Sequence, residues 1–374
     1  MRSANWFRRF FDKRQFSQDR SPEQQSRSGC DRRRAAVSQA RWLNETHPST
    51  FRQCSALPAQ GYGKPRMSNP LALYIHWPFC VSKCPYCDFN SHVRESVDQD
   101  AWCAALLADM AYEAALTPGR KLSSIFFGGG TPSLMPPSTV AALIDAAAQH
   151  WGFADNIEIT LEANPSSVEA SRFADLAKAG VNRVSLGLQS LDDAALAFLG
   201  RAHSVAESLD ALTVAQQHFG RVNIDLIYAR PEQTAKQWEA ELRRALSFGT
   251  DHMSLYQLTI EAGTRFETLV RTGHFTPADD DDAATLYEMT QDMTRAAGMA
   301  AYEISNHARV GHESRHNLSY WRYDDYIGIG PGAHGRRLKC ATQRHKKPEN
   351  FLSAVDRNAH GISTEDHLDP ASRA

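Results

Sequence analysis

From Leu71 onward, short apolar runs alternate with longer stretches in which apolar residues return every three or four positions. The runs at 71–77, 124–127, 157–161, 183–188, 222–228 and 253–258 predict strands. Ser96-x-x-Gln99 has the form of a capping box and predicts a helix carrying Trp102, Leu106 and Met110 on one stripe. Further helices are predicted at 138–150, around 168–179, at 204–219 and at 234–247. Six such units with short connections imply parallel strands joined by right-handed crossovers. The strand finishes are polar or glycine-rich: a cysteine loop, Gly128–Thr131, Glu162 with Asn164, Gln189, Asp225 and Gln257. The strand interiors read as apolar. Turn polarity explains any one finish, but six in succession beside a cysteine cluster suit the mouth of an α/β barrel, where active sites lie.

Charge divides the chain. Residues 1–66 carry 14 Lys/Arg against 5 Asp/Glu, and the remainder carries 27 against 38. The acidic remainder argues against a broad nucleic-acid surface. Residues 1–66 lack periodicity and are rich in Arg, Ser and Gln, a composition that cannot offset its ordering entropy. No apolar segment follows Arg8 and Arg9 to make a secretory signal, and Asp12, Asp19, Glu23, Asp31 and Glu45 fit a transit peptide poorly. Met67-Ser68-Asn69-Pro70 leads straight into the first strand, so residues 1–66 are either a basic disordered extension or leader, or the product of a start assigned too early. No apolar run approaches the roughly 20 residues that cross a bilayer. Asp279 to Asp282 predict a helix start favoured by the macrodipole rather than a metal site. The expected organisation is an extension 1–66, a barrel 67–278 and a C-terminal region 279–374, of which 340–374 is polar and weakly periodic.

Three of the seven cysteines, Cys80, Cys84 and Cys87, follow the first strand at C-x3-C-x2-C spacing, while Cys30, Cys54, Cys103 and Cys340 are scattered. Without a secretion signal, clustered cysteines read as a metal or redox site in a reducing compartment. Three thiolates can hold three irons of a 4Fe–4S cluster and leave the fourth open to a small chelating molecule. Structural zinc usually needs a second cysteine pair, which is lacking, and a thioredoxin-like pair leaves Cys80 unexplained. Gly128-Gly129-Gly130-Thr131-Pro132-Ser133 fits a tight turn or a phosphate nest, but has neither P-loop nor dinucleotide spacing. Glu162, Gln189 and Asp225 end strands, and Arg201 lies in the segment that follows the strand at 183–188. Each alone is an ordinary turn residue. Together they would bind a ribose, an ammonium and a carboxylate, with a general acid–base pair as the rival assignment. His316-Asn317-Leu318-Ser319-Tyr320-Trp321 sets a histidine among aromatics, most often a packed histidine and also the setting of an axial haem ligand. A glycine-rich loop, 328–335, follows it.

From Met67 the chain resembles the HemW-type haem chaperones, relatives of oxygen-independent coproporphyrinogen III oxidase within the radical S-adenosylmethionine (SAM) superfamily. The resemblance is carried, in order, by Tyr74-Ile75-His76-Trp77-Pro78-Phe79-Cys80, Cys84-Pro85-Tyr86-Cys87-Asp88-Phe89, the Gly128–Ser133 segment, Ser185-Leu186-Gly187-Leu188-Gln189-Ser190, Asn223-Ile224-Asp225-Leu226-Ile227-Tyr228 and the 316–321 segment. It implies an α/β fold: a partial (β/α)6 radical-SAM barrel with a 4Fe–4S cluster loop after strand 1. It implies Cys80, Cys84 and Cys87 as cluster ligands. Tyr74, Gly129, Gly130, Thr131, Glu162, Gln189, Arg201 and Asp225 fall where relatives contact SAM. The His-Asn-x-x-Tyr-Trp signature, associated with haem in the chaperone branch, makes His316 a haem-ligand candidate. Phe89 stands where the oxidase has a further cysteine. Two features depart from the pattern: Tyr228-Ala229-Arg230-Pro231-Glu232 replaces a more glycine-rich turn, and relatives continue past the equivalent of Ala374 into a small, mostly helical domain.

The function these features imply is a haem chaperone that holds a SAM-linked cluster, binds haem as cargo and passes it to a haem-accepting protein. The alternative is an oxygen-independent coproporphyrinogen III oxidase, a radical decarboxylase of propionates in porphyrin biosynthesis, so enzyme status is open between the two. A structural zinc protein or inactive fragment is the third reading. A flavodoxin or ferredoxin is the expected electron donor. No nucleic acid and no transmembrane segment are expected, peripheral membrane contact is left open, and the expected location is cytoplasmic.

Overall fold

The computed structural model describes residues 70–368; the extension 1–66 and the start at Met67 lie outside the described residues. Strand β1 (Leu71–Trp77) leads into a loop whose two short segments, β2 (Phe79–Cys80) and β3 (His92–Val93), pair in parallel. The chain then runs through α1 (Gln99–Leu116), β4 (Leu122–Gly129), α2 (Pro137–Trp151) and β5 (Phe153–Ala163). It continues through α3 (Ser167–Ala170), α4 (Phe173–Lys178), β6 (Arg183–Gln189), α5 (Asp193–Phe198), α6 (Val205–His218), β7 (Arg221–Tyr228), α7 (Ala235–Leu246) and β8 (His252–Gln257). Strands β1, β4, β5, β6, β7 and β8 lie side by side in that order, all parallel. A helix between each pair is what parallel neighbours need, because a tight turn cannot join them.

Local chemistry sets most element ends. Helices α6 and α7 carry full capping boxes, Ser204 with Glu207 and Thr234 with Gln237. Helix α1 departs from expectation: Asp98, not Ser96, caps it by accepting from the Ala101 N–H at 3.0 Å. Its carboxylate also complements the helix dipole, which a serine hydroxyl does not. The single helix expected around 168–179 is broken into α3 and α4. Arg172, at the break, donates to the carbonyls of Ser133 (3.0 Å) and Met135 (2.6 Å), and so anchors the turn to the segment after the triple glycine.

Beyond β8 come α8 (Arg265–Arg271), α9 (Asp280–Ala296), β9 (Ala300–Ala301), β10 (Asn306–Ala308), α10 (Arg315–Trp321) and β11 (Tyr326–Ile329). β12 (His334–Arg337), β13 (Cys340–Arg344), α11 (Pro348–Asn358) and β14 (Ile362–His367) complete the described chain. Asp279 caps α9 by accepting from the Asp282 N–H at 2.8 Å, so the acidic run is a helix start as predicted. β10 and β9 extend the sheet antiparallel past β8. On the other edge β11 joins β1 in parallel, and β12 to β14 follow antiparallel, giving a twelve-stranded sheet among the described residues. Within 340–368, β14 gives no signal because it is almost wholly exposed and has no apolar face to announce it.

One face of the parallel strands is the apolar core, where Leu73, Ile75, Ile125, Phe127, Leu161, Val184, Leu186, Ile224, Leu226 and Met253 are buried under the helices. The other face, toward the barrel interior, is polar well below the mouth, contrary to the expectation of apolar strand interiors. Asn223 donates to Ser185 (2.7 Å), Asp225 (2.8 Å) and Ser254 (3.0 Å). His252 bonds Asn223 at 2.6 Å and Tyr302 at 2.8 Å, and Ser254 donates to Asn306 at 2.8 Å. Each of these side chains meets a partner, which offsets its desolvation in an interior this polar.

A buried ionic tether joins α1, the helix after the cysteine loop, to the C-terminal strands. Arg344 on β13 pairs with Asp109 at 3.2 Å and with Glu113 at 2.6 Å, all three fully buried, and Arg337 on β12 also pairs with Glu113. Asp109 further accepts the N–H groups of Gly330 (3.2 Å) and Gly361 (3.1 Å). Arg344→Met leaves Asp109 buried without its cation and Glu113 with Arg337 alone, and is expected to destabilise the fold by about 3–5 kcal/mol in urea unfolding. A loss below about 1 kcal/mol contradicts this role.

Candidate functional site

The three cysteines lie on the loop between β2 and β3, and all are free thiols, half-buried. The loop has little regular structure, so its shape comes from what surrounds it. The triple glycine at the end of β4 passes beneath it: Gly130 N–H donates to Trp77 O at 2.7 Å and Thr131 N–H to Phe79 O at 2.8 Å. A side chain at Gly130 would put its Cβ 2.6 Å from that Phe79 oxygen, so only glycine permits this crossing. Gly200, after α5, plays the same part on the other flank, where a Cβ would meet Pro85 at 2.5 Å. Phe266 on α8 donates its N–H to Pro85 O at 3.0 Å and sits beside Tyr86. Neither α5 nor α8 is apparent from periodicity, since each spans fewer than eight residues.

Two of the predicted residues touch the sulfurs. Thr131 Oγ1 donates to Cys80 Sγ at 3.5 Å. Arg201 Nη1 donates to Cys84 Sγ at 3.2 Å, and its Nη2 to Asn164 Oδ1 at 2.5 Å. Ser91 Oγ lies 3.8 Å from Cys87 Sγ. Burial raises the thiol pKa values of Cys80 and Cys87, with hydrogen bonds opposing it. Among the described residues no three His, Cys, Asp or Glu side chains are gathered about a single ion. In a 4Fe–4S cluster each thiolate meets a different iron, so these neighbours, rather than convergence on one point, are the relevant test.

Below the loop lie two buried carboxylates. Burial pushes Glu162 up to about 8, and the charge of Asp225 adds to the rise; Glu162 accepts the Gly129 N–H at 3.3 Å. Burial also raises Asp225, which Ser185 and Asn223 hold. Among the described residues neither forms an ion pair within 4.0 Å. Gln189 ends β6 with φ of 68° and folds its amide over Gly187, where a Cβ would meet it at 2.6 Å. Tyr74 gives its hydroxyl to His76 Nδ1 at 2.9 Å, and His76 Nε2 donates to the Asn90 carbonyl at 2.9 Å. That carbonyl only accepts, so the His76 proton sits on Nε2. Burial lowers His76 to about 4 and keeps it neutral. Sequence reasoning passes over His76, although a histidine inside an apolar strand is itself a signal.

His316 lies apart from the sulfurs, on α10. Ser124, near the start of β4, meets its Nδ1 at 3.0 Å, and Tyr320 meets its Nε2 at 2.8 Å. It stacks on Phe126 at 5.0 Å and is 2 % exposed, and burial lowers it to about 3. The Glu158 carboxylate, ion-paired to Arg221 at 2.7 Å, accepts the His316 N–H and holds the start of α10.

Comparison with known proteins decides the family. The profile of the Radical SAM superfamily matches residues 74–245. The heme chaperone HemW of Escherichia coli (strain K12) is 44% identical over 294 residues, covering 76% of each chain. The mitochondrial radical S-adenosyl methionine domain-containing protein 1 of Bos taurus is 42% identical over 317 residues, covering 81% of this chain and 72% of its own. The chain belongs to the HemW family of radical SAM proteins. The coproporphyrinogen III oxidase HemN of Escherichia coli has the same fold, with a TM-score of 0.70 at 22% identity over 82% of this chain and 74% of its own. Among the described residues no helix is long and apolar enough to cross a membrane.

Membership of the superfamily brings a 4Fe–4S cluster and SAM as cofactors. The residues present fit both. Three free thiols share one loop, and the carboxylates of Glu162 and Asp225 suit a ligand bearing the ammonium and sulfonium charges of SAM. A raised carboxyl pKa contributes stability that is complete below the ordinary carboxyl range and is lost as pH rises through the folded value, here about 8. Glu162→Gln removes that loss and keeps an acceptor for Gly129. The cofactor-free variant should melt above the parent by about 3 °C or more, with a gap that widens from about pH 5 to about pH 9, while binding SAM more weakly. A gap that does not change with pH contradicts the assignment.

Proposed function

We propose that the protein is a haem chaperone, which binds haem and passes it to a haem-accepting protein while holding a SAM-linked cluster. The observation that carries this reading is the 44% identity to a heme chaperone over three quarters of both chains. Phe89, where the oxidase branch has a further cysteine, supports it.

In this reading Cys80, Cys84 and Cys87 ligate the cluster, which when bound supplies an open iron and one-electron chemistry. Thr131 and Arg201 hold two of the three sulfurs by donating to them. Glu162, whose neutral form burial favours, and Asp225 would each pair as a carboxylate with a cationic ligand under the mouth. Tyr74 and His76 fix the Asn90 end of the loop. Gly129 and Gly130 keep the backbone close to the loop, and Gln189 covers Gly187 beside Arg201. His316 is the haem ligand. Both of its ring nitrogens are engaged in this conformation, so haem ligation requires release of Ser124 or Tyr320 and a shift of α10.

Haem is titrated into the anaerobically reconstituted full chain and followed by its Soret band. Saturable binding near one haem per chain is expected, weakened at least about tenfold by His316→Ala, with Tyr320→Phe binding as well as the parent or better. Unchanged affinity in His316→Ala moves the ligand elsewhere. Absence of saturable binding, together with a vinyl-bearing product from coproporphyrinogen under anaerobic conditions, overturns the chaperone reading in favour of the oxidase.

A further inference from the structure

Two side chains donate to sulfurs of the cysteine loop, Thr131 to Cys80 and Arg201 to Cys84, and both lead back to one buried carboxylate. Asn164, just past the end of β5, stands between the two donors. Its Nδ2 donates to Thr131 Oγ1 at 3.4 Å, and its Oδ1 accepts from Arg201 Nη2 at 2.5 Å. Behind Asn164 lies Glu169 on α3, 5% exposed. Glu169 Oε2 accepts the backbone N–H of Asn164 at 2.8 Å, and Oε1 accepts from Asn164 Nδ2 at 3.1 Å. Ser133, at the end of the triple-glycine segment, also donates to Oε2.

An asparagine amide can be turned either way about, and its two ends do opposite things. Glu169 settles which way Asn164 points. Its carboxylate oxygen draws the amide N–H groups, so Oδ1 faces Arg201, whose guanidinium only donates. A reversed amide would set N–H against N–H at Arg201. The same choice orients Thr131. Its hydroxyl oxygen takes an N–H from Asn164 and keeps its own proton for Cys80 Sγ. Burial raises the Glu169 pKa; the hydrogen bonds of Ser133 and Asn164 oppose the rise, and the charge of Arg201 adds to their effect. Anchoring of the turn does not by itself explain a buried carboxylate here, because Arg172 already holds the Ser133 and Met135 carbonyls from the break between α3 and α4.

We propose that Glu169 is a positioning residue for the cluster: through Asn164 it sets the donors of Thr131 and Arg201 against Cys80 and Cys84, and so raises the cluster's reduction potential. Hydrogen bonds to the sulfurs stabilise the extra negative charge of a reduced cluster, which is why their donors act on its potential. The proposal rests on the cluster assigned to Cys80, Cys84 and Cys87 and is independent of the haem reading.

The test uses the anaerobically reconstituted full chain, with the reduced cluster followed by electron paramagnetic resonance during a dithionite titration without SAM. Glu169→Asp keeps the charge but is one methylene too short to reach both Asn164 N–H groups. It should favour the oxidised cluster at least about twofold, and Asn164→Ala, which removes the relay with no change of charge, at least about threefold, about 28 mV at about 59 mV per tenfold for one electron. Both changes together should shift the equilibrium no further than Asn164→Ala alone. Arg172→Met, which loosens the same turn without touching Asn164, should melt below the parent and stay within about 1.5-fold of its equilibrium. An unchanged potential in Glu169→Asp or in Asn164→Ala overturns the proposal. So do additive shifts in the double variant, which mean that Glu169 does not act through Asn164, and an equal shift in Arg172→Met, which assigns the effect to the stability of the turn. Parent protein that takes up no iron and sulfide overturns the cluster assignment underneath, a result distinct from each of these.

Discussion

The constraint on which the site depends is the placement of three sulfurs on a loop with almost no structure of its own. Backbone pairing within the loop amounts to the two-residue ladder of β2 and β3 and two tight turns, Cys87 N–H to Cys84 O at 3.0 Å and Ser91 N–H to Phe89 O at 2.7 Å. Everything else is borrowed from elements far along the chain. The triple glycine crosses beneath the loop and brings Thr131 to Cys80, Arg201 reaches Cys84 from beyond α5, Gly200 admits Pro85, and α8 takes hold of Pro85 and Tyr86. A small apolar cluster of Leu199, Ile227, Tyr256, Leu258 and Phe266 fixes those distant pieces against one another at the barrel mouth. The loop is therefore positioned only once the barrel has closed, and a change in any of these supports reaches the sulfurs without touching a cysteine.

The interior is built at some expense to stability. Carboxylates at Glu162 and Asp225 are buried with raised pKa values, and His76, His252 and His316 are held neutral by burial. Groups of this kind destabilise a fold and cluster where ligands bind. The compensation lies on the opposite face, in the apolar layer under the helices, and in the Asp109, Glu113, Arg337 and Arg344 network, which locks α1 to the C-terminal strands. Because α1 follows the loop directly and Gly330 is bound by Asp109, that network also steadies the side of the loop on which Asn90 rests.

The six parallel strands and the cysteine loop are legible in the sequence because their signals are local: apolar runs, capping boxes and a fixed cysteine spacing. The polar barrel lining is less so, although it is written at every second position in Glu158, Thr160 and Glu162, in Arg183 and Ser185, in Asn223 and Asp225, and in His252 and Ser254. An eye set for apolar runs passes over it, since the alternate residues on the helix-facing side are enough to announce each strand. Short helices such as α5 and α8 have too few turns for periodicity, and β14 has no buried face. Asp98 outcompetes Ser96 as a cap from two residues away, a choice that pattern alone does not make. The neighbours of His316 are likewise unreadable in advance, because Ser124 is nearly two hundred positions distant and only the register of β4 against α10 brings it there.

The central claim is that Cys80, Cys84 and Cys87 hold an iron–sulfur cluster with one open iron. Metal and labile-sulfide analysis of the anaerobically reconstituted chain tests it most directly, beside a Cys84→Ser variant. The account predicts about four iron and about four sulfide per chain, largely lost in the variant. One zinc per chain with no labile sulfide would contradict it and leave the loop as a structural metal site.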